Sequence, residues 1–285
     1  MRILNQKRCI IGEGPVWNDV EQRLYFTNGT GSEICMLDMA SGKLTVLPVK
    51  VNCAAFCFDC ENRLIVSRAD GVFILGDDER TIPLYDTSRY EILYANDMKV
   101  GPDGRIYVGT QSRKRQKISD DIDGKLYSIS PDGTVRVLLD GLLLSNGLEW
   151  SMDETKFYHT DSDTKILREY DFDKETGDIR ATGRSINIPG VDGFTIDRSG
   201  TILAACWGQR HIALVDSRTL EVTGYIDTPC RIPASCGFAG PELDILAITT
   251  ASLNVNLEQD PNAGFTCLVR RDIGGRTPWR FGCST

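Results

Sequence analysis

Along the chain, short runs rich in Leu, Ile, Val, Tyr and Phe alternate with clusters of Gly, Asp, Asn and Pro, and no stretch keeps the 3.6-residue apolar spacing of a helix. The pattern predicts an all-β protein. It also recurs: an apolar strand, a tight turn and a second apolar strand, followed by a more polar hairpin, can be read six times at a period of roughly 40 to 45 residues, the length of a propeller blade. The copies begin GPVWNDVEQRLYFTN at Gly14, AAFCFDCENRLIVS at Ala54 and NDMKVGPDGRIYVGT at Asn96. Three more begin NGLEWSMDETKFYHTD at Asn146, DGFTIDRSGTILAAC at Asp192 and SCGFAGPELDILAITT at Ser235. Five of the six turns carry Asp, Asn or Gly (Asn18 and Asp19, Asp59, Asp103 and Gly104, Asp153, Arg198 to Gly200), and the sixth uses Gly240 and Pro241. Six in-phase copies predict a six-bladed β-propeller occupying 1–285 as a single domain, with a metal site at its central channel. A β-sandwich or two small barrels are the alternatives, but a sandwich does not require copies in phase.

A first strand that lines the axis of each blade would place its opening residue on a ring. Aligning the copies puts Glu13, Ala54, Asn96, Asn146, Asp192 and Ser235 at that position. Glu13, Asn96, Asn146 and Asp192 offer carboxylate or amide oxygens and no nitrogen or sulfur ligand. Such a set suits one hard divalent cation, Ca²⁺ first, with Mg²⁺, Mn²⁺ or Zn²⁺ as alternatives. Asn and Asp also cap strand starts by bonding local backbone, which is the competing reading of each residue taken alone. A cation with open coordination positions polarises a carbonyl and acidifies water, and Asp192 is the candidate general base for hydrolysis.

Composition narrows the rest. With 41% hydrophobic and 25% charged residues the 285-residue chain can bury a sizeable core. A formal charge of −8 and no basic run beyond Arg113 to Arg115 argue against a nucleic-acid partner. No apolar stretch has the length of a membrane span, so no membrane partner and a cytoplasmic location are expected. The ten cysteines lie mostly in strand-like runs and are expected to be free buried thiols. The CxxC of Cys57 and Cys60 lacks a second zinc pair, and the sequon at Asn28 reads as a turn. Both histidines, His159 and His211, fall inside strands and read as half-buried. Neither GxSxG nor a phosphate-binding glycine loop occurs.

The segments GEGPVW at Gly12, SNGLEWS at Ser145, ND at Asn96 followed by GPDGRIYVGT, and VDGFTID at Val191 together resemble the SMP-30/gluconolactonase family, from about Ile11 to Phe281. The resemblance implies a six-bladed propeller that binds a divalent metal and hydrolyses a small-molecule sugar lactone. It implies Glu13, Asn146 and Asp192 as metal ligands, Asp192 also as the acid/base, and Asn96 as a substrate contact. Two departures stand out. Tyr94 replaces an arginine two residues before Asn96, and Gln111 to Arg115 replaces a stretch carrying a glutamate. The loop from Gln111 to Asp121 is therefore expected to overhang the channel, with Arg113 or Lys114 meeting an anionic group, which would favour a lactone of an aldaric or uronic acid. The competing functions are a non-enzymatic metal-binding module and a hydrolase of another ester.

Overall fold

The computed structural model describes residues 1–49, 53–76 and 81–283. The strands form six four-stranded antiparallel sheets, five of which follow chain order. The first comprises Gly12–Asn18, Arg23–Asn28, Glu33–Asp38 and Leu44–Pro48, and the second Phe56–Phe58, Leu64–Arg68, Gly71–Leu75 and Thr81–Pro83. The third holds Ala95–Val100, Ile106–Thr110, Gly124–Ile129 and Val135–Leu142, and the fourth Ser145–Trp150, Lys156–Asp161, Ile166–Asp173 and Asp178–Asn187. The fifth holds Val191–Ile196, Thr201–Cys206, His211–Asp216 and Glu221–Asp227. In the sixth, Pro233–Ala239, Ile245–Thr250 and Thr266–Arg270 are completed by Arg2–Leu4 from the chain's start. All six repeat copies thus fall on the first two strands of a sheet.

The turn between those two strands is built alike each time. Asn18, Asp59, Asp103, Asp153 and Asp197 each use a side-chain oxygen to accept backbone N–H groups two to four residues on, replacing bonds the turn cannot make internally. Each turn then places one left-handed residue near the second strand: Gln22 (φ 55°), Asn62 (64°), Gly104 (72°), Glu154 (61°), Gly200 (87°) and Leu243 (54°). Only two of the six are glycine, so four turns hold a side chain in a conformation costing on the order of 1 kcal/mol, held there by the flanking strand pairs.

The chain divides into two compact units. One comprises residues 1–52 and 186–278 and holds the first, fifth and sixth sheets; the other comprises 53–185 and 279–285 and holds the second, third and fourth. In the former, neighbouring sheets approach through glycines: a Cβ on Gly193 would lie 2.3 Å from Ser235 Oγ, and one on Gly237 would lie 2.3 Å from Pro15 O. In the latter, Trp150, Tyr107, Phe157 and Phe172 form a buried aromatic cluster, and Gly109 leaves room for Ser145. The C-terminal segment is tied to this unit by Phe281 N donating to Phe58 O (2.9 Å) and Gly282 N to Gly104 O (2.9 Å). A Cys60–Cys283 disulfide joins the same segment, correcting the expectation that every thiol is free. The other eight cysteines form no disulfide among the described residues and are buried. The CxxC is split between environments: Cys57 packs inside, where burial pushes its thiol up and keeps it protonated, while Cys60 is the disulfide partner. Asn28 of the sequon is buried, accepting from Ile10 N and donating to Glu33. Among the described residues no helix is long and apolar enough to cross a membrane.

Candidate functional site

Glu13, Ala54, Asn96, Asn146, Asp192 and Ser235 occupy one register. Each stands four residues before the position that pairs with the first or second residue of the second strand: Trp17 with Leu24, Phe58 with Leu64, Val100 with Ile106, Trp150 with Phe157, Ile196 with Ile202 and Ala239 with Ile245. In five of the six sheets the pairing slips at this place, between Glu13 and Val16, Ala95 and Met98, Asn146 and Leu148, Val191 and Phe194, and Pro233 and Ser235. A β-bulge breaks the in-out alternation of a strand and re-aims a side chain, and bulges concentrate beside functional sites. Glycine follows Glu13, Asn146 and Asp192 in each case. Gly14 and Gly147 take positive φ (50° and 33°) that a side chain would strain.

In the unit holding the third and fourth sheets, the structure brings Asn96 to the strand of Asn146. The Asn96 amide Nδ2 donates to Ser145 O (3.1 Å), and its own carbonyl accepts from Ser67 Oγ (3.2 Å). Asp97 accepts from Met98 N (2.8 Å) and from the N–H of Gly147, fastening the two strands together, and burial raises its pKa. Asn146 is buried, its Oδ1 accepting from Gly147 N (3.2 Å). Ser145 Oγ lies 2.8 Å from His159 Nε2, and both residues are almost fully buried. His159 is therefore a core histidine, more deeply enclosed than its strand position suggests.

Burial first, and the charge of Arg168 second, push the pKa of His159 from 6.5 down to about 3. An unfolded chain takes up this proton near pH 6.5 while the folded chain refuses it until about pH 3. Stability is thus fully present above pH 6.5 and is lost as pH falls through that window, at up to ~1.4 kcal/mol per pH unit. Denaturant titrations at pH 7 and pH 5 should show this loss in the wild type and a smaller one in His159→Gln, which cannot ionise; equal losses would remove His159 as its source.

Tyr94 precedes the Asn96 strand with a left-handed backbone (φ 56°), donating its N–H to Ala69 O (2.8 Å) and accepting Gln111 N–H (3.0 Å). After Thr110, Arg113 is paired within its own loop, its Nε on Asp123 (2.6 Å) and its Nη2 on Asp121 (3.0 Å). Two carboxylates hold two of its five N–H groups, and the side chain stays exposed. Arg115 pairs with Asp163 (3.2 Å). Lys114 is exposed, with no carboxylate partner among the described residues.

In the other unit, Asp192 is buried on the fifth sheet and Glu13 is half-buried on the first, and the first strand of the sixth sheet packs against both strands that carry them. Cys206 lies close enough to feel the charge of Asp192, but burial holds its pKa up at about 11, so it stays a neutral thiol. Among the described residues no three His, Cys, Asp or Glu side chains gather as a metal cluster. The expected set contains only two carboxylates, its remaining members being amides. With the nearby thiol protonated, what it offers is hard oxygen, which fits Ca²⁺, Mg²⁺ or Mn²⁺ better than Zn²⁺.

A sequence model of the SMP-30/gluconolactonase/LRE-like region matches residues 11–252. A pentonolactonase of Haloferax volcanii is 30% identical over 252 residues, covering 85% of this chain and 82% of its own. Chicken (Gallus gallus) regucalcin is 29% identical over 271 residues, covering 90% and 89%. The crystal structure of a regucalcin from Agrobacterium tumefaciens, described as a calcium-binding protein, superposes with a TM-score of 0.87 at 22% identity, covering 99% of this chain and 97% of its own. That likeness shows the fold, and the six sheets are the six blades of an all-β propeller.

Proposed function

This chain belongs to the SMP-30/gluconolactonase/LRE-like family, and from that premise we propose that it is a metal-dependent hydrolase that opens a sugar lactone to the sugar acid. The observation that carries the reading is the shared register of Glu13, Asn146 and Asp192, three buried or half-buried oxygen donors each followed by glycine, in a family whose relatives include a named pentonolactonase. Glu13, Asn146 and Asp192 would hold one divalent cation, Ca²⁺ in the first instance. When bound, such a cation polarises the lactone carbonyl and acidifies water.

The chain's own residues do the rest. The carboxylate of Asp192 takes a proton from the attacking water as its oxygen bonds to the acyl carbon. The acyl carbon–ring oxygen bond breaks, and Asp192 returns the proton to the departing alkoxide, leaving a hydroxy acid that ionises at neutral pH. Asn96 lies beside the Asn146 strand and hydrogen-bonds the substrate, and Tyr94 borders the same position. An acidic lactone would be met by Lys114, or by the N–H groups of Arg113 that Asp121 and Asp123 do not hold.

A pH-indicator assay of metal-stripped protein against neutral and acidic sugar lactones, with Ca²⁺, Mg²⁺, Mn²⁺ or Zn²⁺ added singly, tests the proposal. Acid release that depends on added metal is expected. Silence across the panel together with tight Ca²⁺ binding would overturn the enzymatic reading in favour of a calcium-binding module.

A further inference from the structure

We propose that Gln111 is a specificity-determining residue, reading substrate oxygens together with Asn96 as a pair of amides; the proposal rests on the lactone-site reading of Asn96. Gln111 directly follows the second strand of the third sheet and forms an isolated bridge with Leu144, which sets it beside Ser145 and half-buries it. Its Nε2 lies 3.2 Å from Asn96 Oδ1, and its Oε1 accepts from Gln116 Nε2.

The direction of this chain of amides is fixed from one end. Ser145 O can only accept, so the Asn96 atom 3.1 Å from it is the NH₂ group. Asn96 therefore turns its oxygen to Gln111, which must present its own NH₂, and Gln111 turns its oxygen to Gln116. Each of the two amides at the site keeps a second N–H, and each amide oxygen has one of its two lone pairs occupied. The pair can thus both donate and accept, and what it fits is a hydroxyl of a polyhydroxylated ring.

The geometry is held in advance. Ser112 N donates to Leu143 O (2.9 Å) and Arg113 clamps Asp123 and Asp121, so the segment carrying Gln111 is tied down on both sides. Little ordering is then needed on binding. A lactone without hydroxyl groups would leave the donors unpaired, which is how a hydrogen-bonding site discriminates. No sequence motif marks Gln111, because its contact with Asn96 is made only in the folded chain.

The test uses Gln111→Leu, which removes the donors, and Gln111→Glu, which offers only acceptors to the Asn96 oxygen. Gln111→Asn, an amide one methylene too short, serves if the others fold poorly by thermal melt. Against gluconolactone, kcat/KM should fall about tenfold in the Leu variant, carried by KM, and further in the Glu variant, while turnover of unsubstituted δ-valerolactone stays level. Calorimetry with the ring-opened product gluconate should show the same weakening, a readout independent of turnover. Equal changes on both lactones, no change on either, or a wild type that binds no gluconate would overturn the role of Gln111. A wild type that binds gluconate in a Gln111-dependent way yet hydrolyses neither lactone would refute the lactonase reading and leave the oxygen-reading pair standing.

Discussion

Asp192→Asn is expected to lower kcat for lactone opening by about a thousandfold while leaving the protein folded. The substitution is nearly isosteric, and the site on Val191–Ile196 is buried and followed by a glycine that makes room for Ser235, so the bulge that aims the side chain should survive. An asparagine retains one oxygen for a cation but cannot carry the proton between the attacking water and the departing alkoxide. General-base catalysis contributes about 10²- to 10⁴-fold, which sets the expected loss. Turnover by pH indicator, metal affinity by calorimetry and the thermal midpoint should be measured on one preparation. The expected pattern is a collapse in kcat, a modest loss of affinity and a midpoint within a few degrees of wild type. Retained turnover would move the base to another residue, and loss of fold would show that Asp192 is structural.

The six blades are legible in the sequence because two local signals agree. Apolar strand pairs recur in phase, and between them Asn18, Asp59, Asp103, Asp153 or Asp197 provides a side-chain oxygen that caps the turn. The shared register of Glu13, Asn96, Asn146 and Asp192 is legible because the copies align on their first apolar strand, which starts from the same place in each. What is not legible depends on contacts distant in the chain. Arg2–Leu4 is too short to show a strand pattern, and only the sixth sheet gives it partners. Cys60 and Cys283 are 223 residues apart and meet because the C-terminal segment lies along Phe58 and Gly104. The charge of Arg113 is visible in the sequence, but its pairing with Asp121 and Asp123 depends on how the loop closes. The bulges are intermediate: Glu-Gly, Asn-Gly and Asp-Gly at the three expected ligands were a usable signal, though a strand interior makes glycine look merely weak.

Trp150→Ala should cost about 3–5 kcal/mol of stability and loosen the functional site with it. The indole is fully buried, with Tyr107 at 4.8 Å, Phe157 at 5.0 Å, Trp279 at 5.7 Å and Phe172 at 5.8 Å between ring centroids. Four rings packed around one vacated volume cannot all collapse into it, because each is held by its own strand or terminal segment, so the cavity persists and its walls lose dispersion contacts. Trp150 also pairs with Phe157 at the far end of the strand that begins Ser145-Asn146. Removing that anchor frees the strand to shift at the bulge between Asn146 and Leu148, the place where the Asn146 side chain is aimed. Denaturant unfolding should therefore show the large loss, and calorimetric Ca²⁺ affinity a smaller one, with Trp150→Phe milder on both. If stability falls as expected while affinity is untouched, the cluster supports the fold alone and Asn146 is positioned by Asp97 and Gly147 without it.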